Sequence, residues 1–217
     1  MLHGVLYIVA TPIGNINDIT LRAIDVLRTV DVIAAEDTRH SRFLLDAHGI
    51  STVMISLHEH NEDQRTMAIT NKLLAGQSVA LISDAGTPLI SDPGFRLVRE
   101  VQSSGLRVES VPGPCAAIAA LSVCGLPSDR FMFVGFLPAR STARSEALRE
   151  LEKERSTLIF YESPRRVLGL IGAIIERFGG GRPLSIVKEL TKHFETVYTS
   201  TAAEALVWLE EDPVRQK

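Results

Sequence analysis

Cysteine is scarce in this chain, which has only two among its 217 residues. Cys115 and Cys124 lie in an apolar stretch, and their spacing is not that of metal ligands. Two such residues cannot form the disulfide framework of a small secreted domain. We therefore interpret both as reduced, buried thiols of a cytosolic protein.

Long apolar runs and an excess of basic residues are also lacking. No segment reaches the roughly 18 uninterrupted apolar residues of a membrane span, and the start MLHGVLYIVATP has neither the basic beginning nor the cleavage site of a signal peptide. We expect a soluble, intracellular protein without membrane contact. The net charge of −3 and the pI near 6.1 exclude a nonspecific nucleic-acid coat, so any RNA contact must come from a local basic patch.

The usual phosphate-binding motifs are incomplete. The turn Thr11–Asn15 contains one glycine, whereas a dinucleotide-binding turn has three, and the Walker lysine is missing. A nucleotide-hydrolysing enzyme is therefore the least favoured class.

Short apolar runs alternate with helical patterns in the first half of the chain. This alternation predicts an α/β domain over residues 1–112 with a mostly parallel sheet and right-handed crossovers. The five predicted strands are Val5–Ala10, Val32–Ala35, Val53–Leu57, Val79–Ile82 and Arg107–Val111.

The segment Pro112–Pro114 is the best candidate for a domain boundary. Residues 113–217 are predicted to form a second α/β domain, in which a helix of small residues comes first. The link 189–193 between two later strands is too short for a helical crossover. The second sheet is therefore expected to be antiparallel or mixed.

The segment Val79–Gly94 has the strongest functional signal from composition alone. Its apolar start predicts a buried strand, and the loop that follows combines two glycines, two prolines and the carboxylates Asp84 and Asp92. Ligands of open α/β sheets bind at the carboxyl ends of strands. A ligand-binding loop and a stiff connecting turn are both compatible with this pattern.

Two further polar segments follow predicted strands. Residues 36–42 form either a solvated helix start or a substrate-facing edge. The segment His58–Glu62 could be a surface loop, a substrate or proton-handling contact, or a metal site. It lacks the i, i+4 histidine pair of a helical zinc site, and we predict no metal.

Several segments together resemble one family, the ribosomal RNA small subunit methyltransferase I family of the tetrapyrrole methylase fold. The segments are LYIVATPIGN, AAEDTR, HEHNE, SDAGTPLISDPG, PGPCAAIAALSVCGLPSDRF, GFLP, FYESPRR and ELTK. The resemblance implies two α/β domains with S-adenosylmethionine in a cleft between them. It also implies methyl transfer to the ribose 2′-hydroxyl of a cytidine in 16S rRNA, and a homodimer.

The resemblance further implies which residues bind the methyl donor. In the first predicted domain these are Pro12, Ile13, Gly14, Ser83, Asp84, Gly86 and Thr87, and in the second Cys115, Ala116, Tyr161 and Glu162. Family members usually continue beyond the last residue of this chain, so we expect a truncated C-terminal domain.

The substrate side is less well defined by sequence. Asp37, His58, Glu62 and Glu189 are all candidates for a general base, and we favour Asp37 and Glu189 with Lys192 as the catalytic lining. Five cations are predicted to contact RNA phosphates, namely Arg39, Arg42, Arg165, Lys188 and Lys192. For each of them an ordinary surface ion pair is the alternative.

Two other functions stay open at this point. One is methylation of a small tetrapyrrole, which would require an apolar trough, whereas the segments EDTRHSR, HEHNE and ELTKH are polar. The other is a non-catalytic RNA-binding protein. Calorimetric titration with S-adenosylmethionine separates the second from an enzyme.

Overall fold

A computed structural model describes residues 3–216, and the chain forms two compact units that meet in sequence between Ala116 and Ala117. The first unit alternates strands and helices. Its elements are β1 Val5–Val9, α1 Leu21–Thr29, β2 Val32–Ala35, α2 Thr38–Ala47, β3 Met54–Ser56, α3 Glu62–Leu74, β4 Val79–Ile82, α4 Phe95–Ser103 and β5 Arg107–Val111.

The five strands form one parallel sheet in the order β3-β2-β4-β1-β5. Alternate residues of each central strand point to opposite faces. In β4, Ala80 and Ile82 pack on α1 and α2, whereas Val79 and Leu81 pack on α3 and α4. Because both faces of the sheet are covered, the central strands are apolar throughout, as a buried parallel sheet requires. The predicted α/β fold class is confirmed.

The polar residues 36–42 could be either a helix start or a substrate-facing edge from the sequence, and in the structure helix α2 begins there. Asp37 is its N-cap, and the Asp37 carboxylate accepts hydrogen bonds from the backbone N–H groups of Arg39 and His40. The buried Leu45 attaches the helix to the core. The helix-start interpretation of residues 36–42 therefore agrees with the structure.

The second unit has smaller sheets. Its elements are α5 Ala116–Val123, which begins at the unit boundary, β6 Phe131–Phe136, α6 Ser141–Glu150, β7 Thr157–Tyr161, α7 Val167–Phe178, β8 Pro183–Lys188, β9 Thr196–Thr201 and α8 Ala202–Glu211. Strands β6 and β7 pair in parallel, and β8 and β9 pair antiparallel.

The antiparallel pairing of β8 and β9 agrees with the short link between them, but among residues 3–216 the parallel and the antiparallel pair form two separate sheets and not one. A bulge between Phe133 and Gly135, where Gly135 has φ +73°, interrupts the regular ladder of β6. Helix α6 is also shorter than its charge pattern suggests. The Glu154 carboxylate accepts hydrogen bonds from the N–H groups of Arg155 and Ser156, which turns the chain toward β7. No helix described between residues 3 and 216 is both long and apolar enough to cross a membrane.

Candidate functional site

The loops after β1, β4 and β5 meet at the carboxyl edge of the first sheet. The Thr11 N–H donates to the Gly86 carbonyl at 2.8 Å, and the Gly86 N–H donates to the Thr11 carbonyl at 3.1 Å. The buried Thr11 hydroxyl donates to the Ser83 carbonyl at 3.1 Å. These bonds join the first two loops through their backbones, so their spacing is fixed.

Gly86 is the point where all three loops are close. Its φ is +87°, and a Cβ atom there would lie 3.3 Å from Cγ2 of Ile13 and 3.7 Å from the Pro114 carbonyl oxygen. The Thr87 hydroxyl donates to that same carbonyl at 2.9 Å. The left-handed conformation favours glycine at this position, and the space beside Ile13 is tight for any side chain.

The predicted donor-binding residues of the first unit therefore belong to one edge of one sheet. Ile13, Ser83, Gly86 and Thr87 are joined by the contacts above. The others are their chain neighbours: Pro12 and Gly14 flank Ile13, Asp84 follows Ser83, and Cys115 and Ala116 follow Pro114. Cys115 is a partly buried free thiol, and Cys124 is a buried one.

The loop between β4 and α4 contains two non-glycine residues in the left-handed region, Leu89 with φ +74° and Ser91 with φ +69°. Such a conformation persists only where surrounding contacts impose it. The Leu89 side chain packs on the core beneath Gly94, where a Cβ atom would lie 2.6 Å from Cδ2 of Leu81. Packing against the core therefore fixes the conformation of the loop.

Glu62 anchors the far end of this loop. Its side chain is buried with 7% exposure, and Oε1 accepts hydrogen bonds from the N–H groups of Gly94 at 3.1 Å and Arg96 at 3.0 Å. The carboxylate thereby satisfies the first N–H groups of α4. Glu62, a candidate base by sequence, is engaged in fixing the loop and the helix.

A group of carboxylates lies beside the same edge. Asp84 Oδ1 accepts from the Asp37 N–H at 3.0 Å, and the Asp84 backbone N–H is bonded to the Glu36 carboxylate. Burial raises the pKa of Glu36, and repulsion from Asp92 and Asp84 raises it further. Burial and repulsion from Asp84 also raise the pKa of Asp92, against a hydrogen bond from Ser83 that lowers it.

Sequence reasoning gave neither Glu36 nor Asp92 a role of its own, although both lie in segments that we singled out. Asp37 differs from them, because the N–H groups of Arg39 and His40 lower its pKa. A carboxylate with a lowered pKa is a weaker base than a free one. Another candidate, His58, contacts Asn61 twice: the His58 backbone N–H donates to Asn61 Oδ1 at 2.9 Å, and the ring atom Nε2 lies 3.1 Å from Asn61 Nδ2.

Replacing Asp92 by asparagine is expected to stabilise the chain at pH 7. The pKa of Asp92 is higher in the folded than in the unfolded chain, so stability is lost as pH rises through the folded-state pKa. Asp92 is only partly buried, so solvent screening keeps the effect small, and we expect Tm to rise by no more than about 1 to 2 °C at pH 7. Thermal unfolding should show no gain below about pH 3.8, where both states are protonated. The exposed Asp25 on α1 serves as a control through Asp25→Asn, and an equal gain in that variant would contradict the burial effect.

In the second unit, Tyr161 and Glu162 lie at the carboxyl end of β7. The Tyr161 ring packs edge-on against Phe133 and Phe136, with centroid distances of 5.0 and 5.6 Å. The Glu162 side chain is only 5% exposed and lies 3.1 Å from the guanidinium of Arg166. Arg166 also donates to the Leu137 carbonyl at 2.6 Å, so it joins the ends of β6 and β7.

Sequence reasoning chose Arg165 and missed Arg166, because nothing in the local pattern SPRR distinguishes the two. Arg39 and Arg165 are exposed and form no ion pair within residues 3–216. Arg42 lies 3.9 Å from Asp46 in an exposed ion pair, the alternative that we had considered for it.

Three of the predicted substrate-side residues, Lys188, Glu189 and Lys192, lie around the link between β8 and β9. Lys192 Nζ and Glu189 Oε1 form an ion pair at 3.0 Å, and Lys188 Nζ donates to the Val214 carbonyl at 3.0 Å. Among the described residues, no group of three or more His, Cys, Asp or Glu side chains is arranged so that it could hold a metal ion.

Comparison with known proteins gives consistent results. The family model for tetrapyrrole (corrin/porphyrin) methylases matches residues 5–206. A ribosomal RNA small subunit methyltransferase I from Escherichia coli O157:H7 is 53% identical over 215 residues, which cover 99% of this chain and 75% of that protein. The protein of the same name from Pseudomonas aeruginosa is 51% identical over 217 residues, or 77% of its length.

Solved structures show the same fold at low sequence identity. Uroporphyrin-III-C-methyltransferase from Thermus thermophilus has a TM-score of 0.66 at 22% identity and covers 95% of this chain and 89% of its own. Diphthine synthase has a TM-score of 0.69 at 13% identity, with 94% and 84% covered. The chain therefore belongs to the tetrapyrrole methylase family and, within it, to the ribosomal RNA small subunit methyltransferase I family.

Proposed function

We propose that this chain transfers a methyl group from S-adenosylmethionine to the ribose 2′-hydroxyl of a cytidine in the 16S rRNA of the small ribosomal subunit. The names of relatives about half identical to the chain support an rRNA substrate. The single structural observation that carries the proposal is the meeting of three strand-end loops at Gly86, a residue without a side chain.

The residues around Gly86 fit such a donor. The position has no side chain, Cys115 and Ala116 are small and partly buried, and backbone groups can approach a ligand closely there. The carboxylates of Glu36, Asp84 and Asp92 give this edge a negative potential, which favours a sulfonium cation. S-adenosylmethionine, when bound, supplies a methyl group that its positive sulfur already activates.

The protein's task in this reaction is then mainly to hold the two reacting atoms in line. Such positioning is worth up to about 7 to 11 kcal/mol in favourable systems, more than one general base usually supplies. The backbone hydrogen bonds between Thr11 and Gly86, together with the bond from the Thr87 hydroxyl to the Pro114 carbonyl, give the rigidity that positioning needs. Tyr161 and Glu162 are the donor residues that we propose in the second unit.

On the substrate side we assign catalytic roles to Asp37, Glu189 and Lys192. Asp37 is ionised over a wide pH range because of its lowered pKa, which suits orientation of a hydroxyl better than removal of its proton. The Glu189–Lys192 pair offers both an acceptor and a cation close together. Arg39, Arg42, Arg165 and Lys188 are assigned to RNA phosphates.

Substituting Arg39 and Arg165 together by glutamine is expected to weaken RNA binding and to flatten its salt dependence. Each phosphate contact that is lost should lower the slope of log K against log salt by about 0.7 to 0.9. Filter binding between 50 and 200 mM salt measures this slope. Arg107→Gln is the matched control, because Arg107 pairs with Glu109 at the start of β5, and an unchanged slope in the double variant would remove both arginines from the RNA site.

We also propose that the protein is a cytosolic homodimer. Two free cysteines are consistent with a reducing compartment. Sedimentation that shows a monomer at micromolar concentration would contradict the dimer.

The test of the proposed function is a methylation assay with labelled S-adenosylmethionine. The protein is incubated with small ribosomal subunits or with their naked RNA, and ribose methylation is mapped by resistance of the phosphodiester to alkali. We expect one labelled cytidine 2′-oxygen. Label on a base, or label only on an added tetrapyrrole, would contradict the proposal.

A further inference from the structure

The link between β8 and β9 has an unusual backbone. Glu189 has φ +52° and Thr191 has φ +66°, and neither is a glycine. A left-handed β-branched residue such as Thr191 is rare, and it persists only where its surroundings impose it. Strain of this kind is concentrated at ligand-binding sites.

Local hydrogen bonds impose this conformation. The Lys192 N–H donates to the Glu189 carbonyl at 2.9 Å, and the Thr191 N–H donates to Glu195 Oε2 at 2.6 Å. The Thr196 hydroxyl donates to the Phe194 carbonyl at 3.0 Å. The link is therefore a rigid tip in which each turn is fixed by a side chain or a backbone bond.

The tip presents aromatic and cationic side chains to solvent. Phe194 is 73% exposed, and the exposed His193 ring meets it edge-on at a centroid distance of 4.8 Å. Lys192 is next to them in sequence; its ammonium pairs with Glu189 at 3.0 Å, and its side chain is 45% exposed. Exposing a phenyl ring on a rigid turn brings no benefit to the fold, because it buries no apolar surface.

The other large aromatic side chains nearby are already occupied. Tyr198 and Trp208 stack on each other at 4.3 Å with an angle of 6°, and the Arg215 guanidinium lies 5.0 Å from the Trp208 ring centroid. Within residues 3–216, His193 makes the one ring contact of Phe194, with the two rings at 76° to each other. A single T-shaped contact covers at most one face of the Phe194 ring, so at least one face is available for stacking.

We propose that Phe194 stacks on an unpaired nucleobase of the RNA substrate, with Lys192 drawing the adjacent phosphate to the tip. The proposal rests on the proposed function and adds to it a residue that recognises single-stranded RNA. Proteins read unpaired bases by stacking them on exposed aromatic rings, and cations beside the rings hold the backbone. Here Phe194 supplies the ring, Lys192 supplies the cation, and the rigid turn holds the two in place.

The test compares Phe194→Ala, Phe194→Leu and Phe194→Trp in binding and in methylation. The binding probe is a fluorescent single-stranded oligoribonucleotide that contains cytidines. Its affinity is measured by fluorescence anisotropy and compared with the affinity of the corresponding duplex. We expect Phe194→Ala and Phe194→Leu to weaken single-strand binding by about 5- to 150-fold. Phe194→Trp should bind within about threefold of wild type, because it keeps a stacking face.

Two further readouts separate stacking from other roles. Affinity for S-adenosylmethionine, measured by calorimetry, should be the same in all three variants, and the KM for small-subunit RNA should follow the anisotropy values. Phe131→Ala is the control: Phe131 is an exposed phenylalanine of the same unit, at the first residue of β6. It should leave RNA binding unchanged.

Three results would overturn the inference. Wild-type binding by Phe194→Leu would mean that apolar contact is sufficient. An equal loss of affinity for duplex and single-stranded RNA would exclude stacking on an unpaired base. A fall in solution mass in Phe194→Ala would assign the tip to contact between two copies of the chain. Absence of methylation by the wild type, with single-strand binding still dependent on Phe194, would contradict the proposed function alone.

Discussion

Replacing Glu62 by alanine is expected to lower the free energy of unfolding of the first unit by about 3 kcal/mol. The buried carboxylate accepts hydrogen bonds from two backbone N–H groups, those of Gly94 and Arg96. Each buried donor left without a partner costs about 1 to 3 kcal/mol. In a chain of this length the loss corresponds to a fall in Tm of about 6 to 12 °C, which thermal and urea unfolding would measure.

Asp63 gives a matched control one residue away. It is an exposed carboxylate whose ion pair with Arg96 is also exposed, so Asp63→Ala should change stability by less than about 1 kcal/mol. Glu62→Gln keeps an acceptor oxygen and should recover part of the stability. If Glu62→Gln instead abolished turnover while Tm stayed at the wild-type value, Glu62 would be the general base and not an anchor.

Replacing Gly86 by alanine is expected to reduce affinity for S-adenosylmethionine by tenfold or more. At φ +87° an alanine is strained by about 1 to 2 kcal/mol, and its Cβ would press on Ile13 at 3.3 Å. The strain acts on the backbone bonds between Thr11 and Gly86, which set the spacing of the loops. Calorimetric titration measures the loss directly.

A control variant at Gly49 separates the effect of backbone strain from the effect of location at the proposed donor site. It has φ +63° at the end of α2, and a Cβ atom there would meet nothing within 4 Å. Gly49→Ala should therefore cost similar stability and leave donor affinity at the wild-type value. Equal donor affinity in Gly86→Ala and wild type would mean that the three loops do not form the donor site.

The bounds of β2 and β4 could be predicted to the residue, because these buried strands are short apolar runs that end where polar loops begin. The bounds of β5 were also predicted, although this edge strand carries polar residues. Helices were harder to delimit. Charged residues continue past Glu150, where α6 ends, as far as Glu154, whose carboxylate binds the next two N–H groups and turns the chain. Local composition cannot distinguish a charged helix from a charged turn.

The donor loops were identifiable because glycine, proline and carboxylates concentrate at strand ends. The roles of individual charged residues were not, since they depend on partners far away in sequence. Glu62 binds N–H groups 32 and 34 positions later, and Arg166 binds a carbonyl 29 positions earlier. The raised pKa of Glu36 likewise depends on burial and on two carboxylates of another loop.

Amide hydrogen exchange with and without S-adenosylmethionine tests the central claim most directly, because it reports where the donor binds without reference to activity. We predict that the donor slows exchange in the three loops that meet at Gly86, in residues 11–15, 83–87 and 113–117. Saturating donor binding with unchanged exchange in these loops would contradict the account.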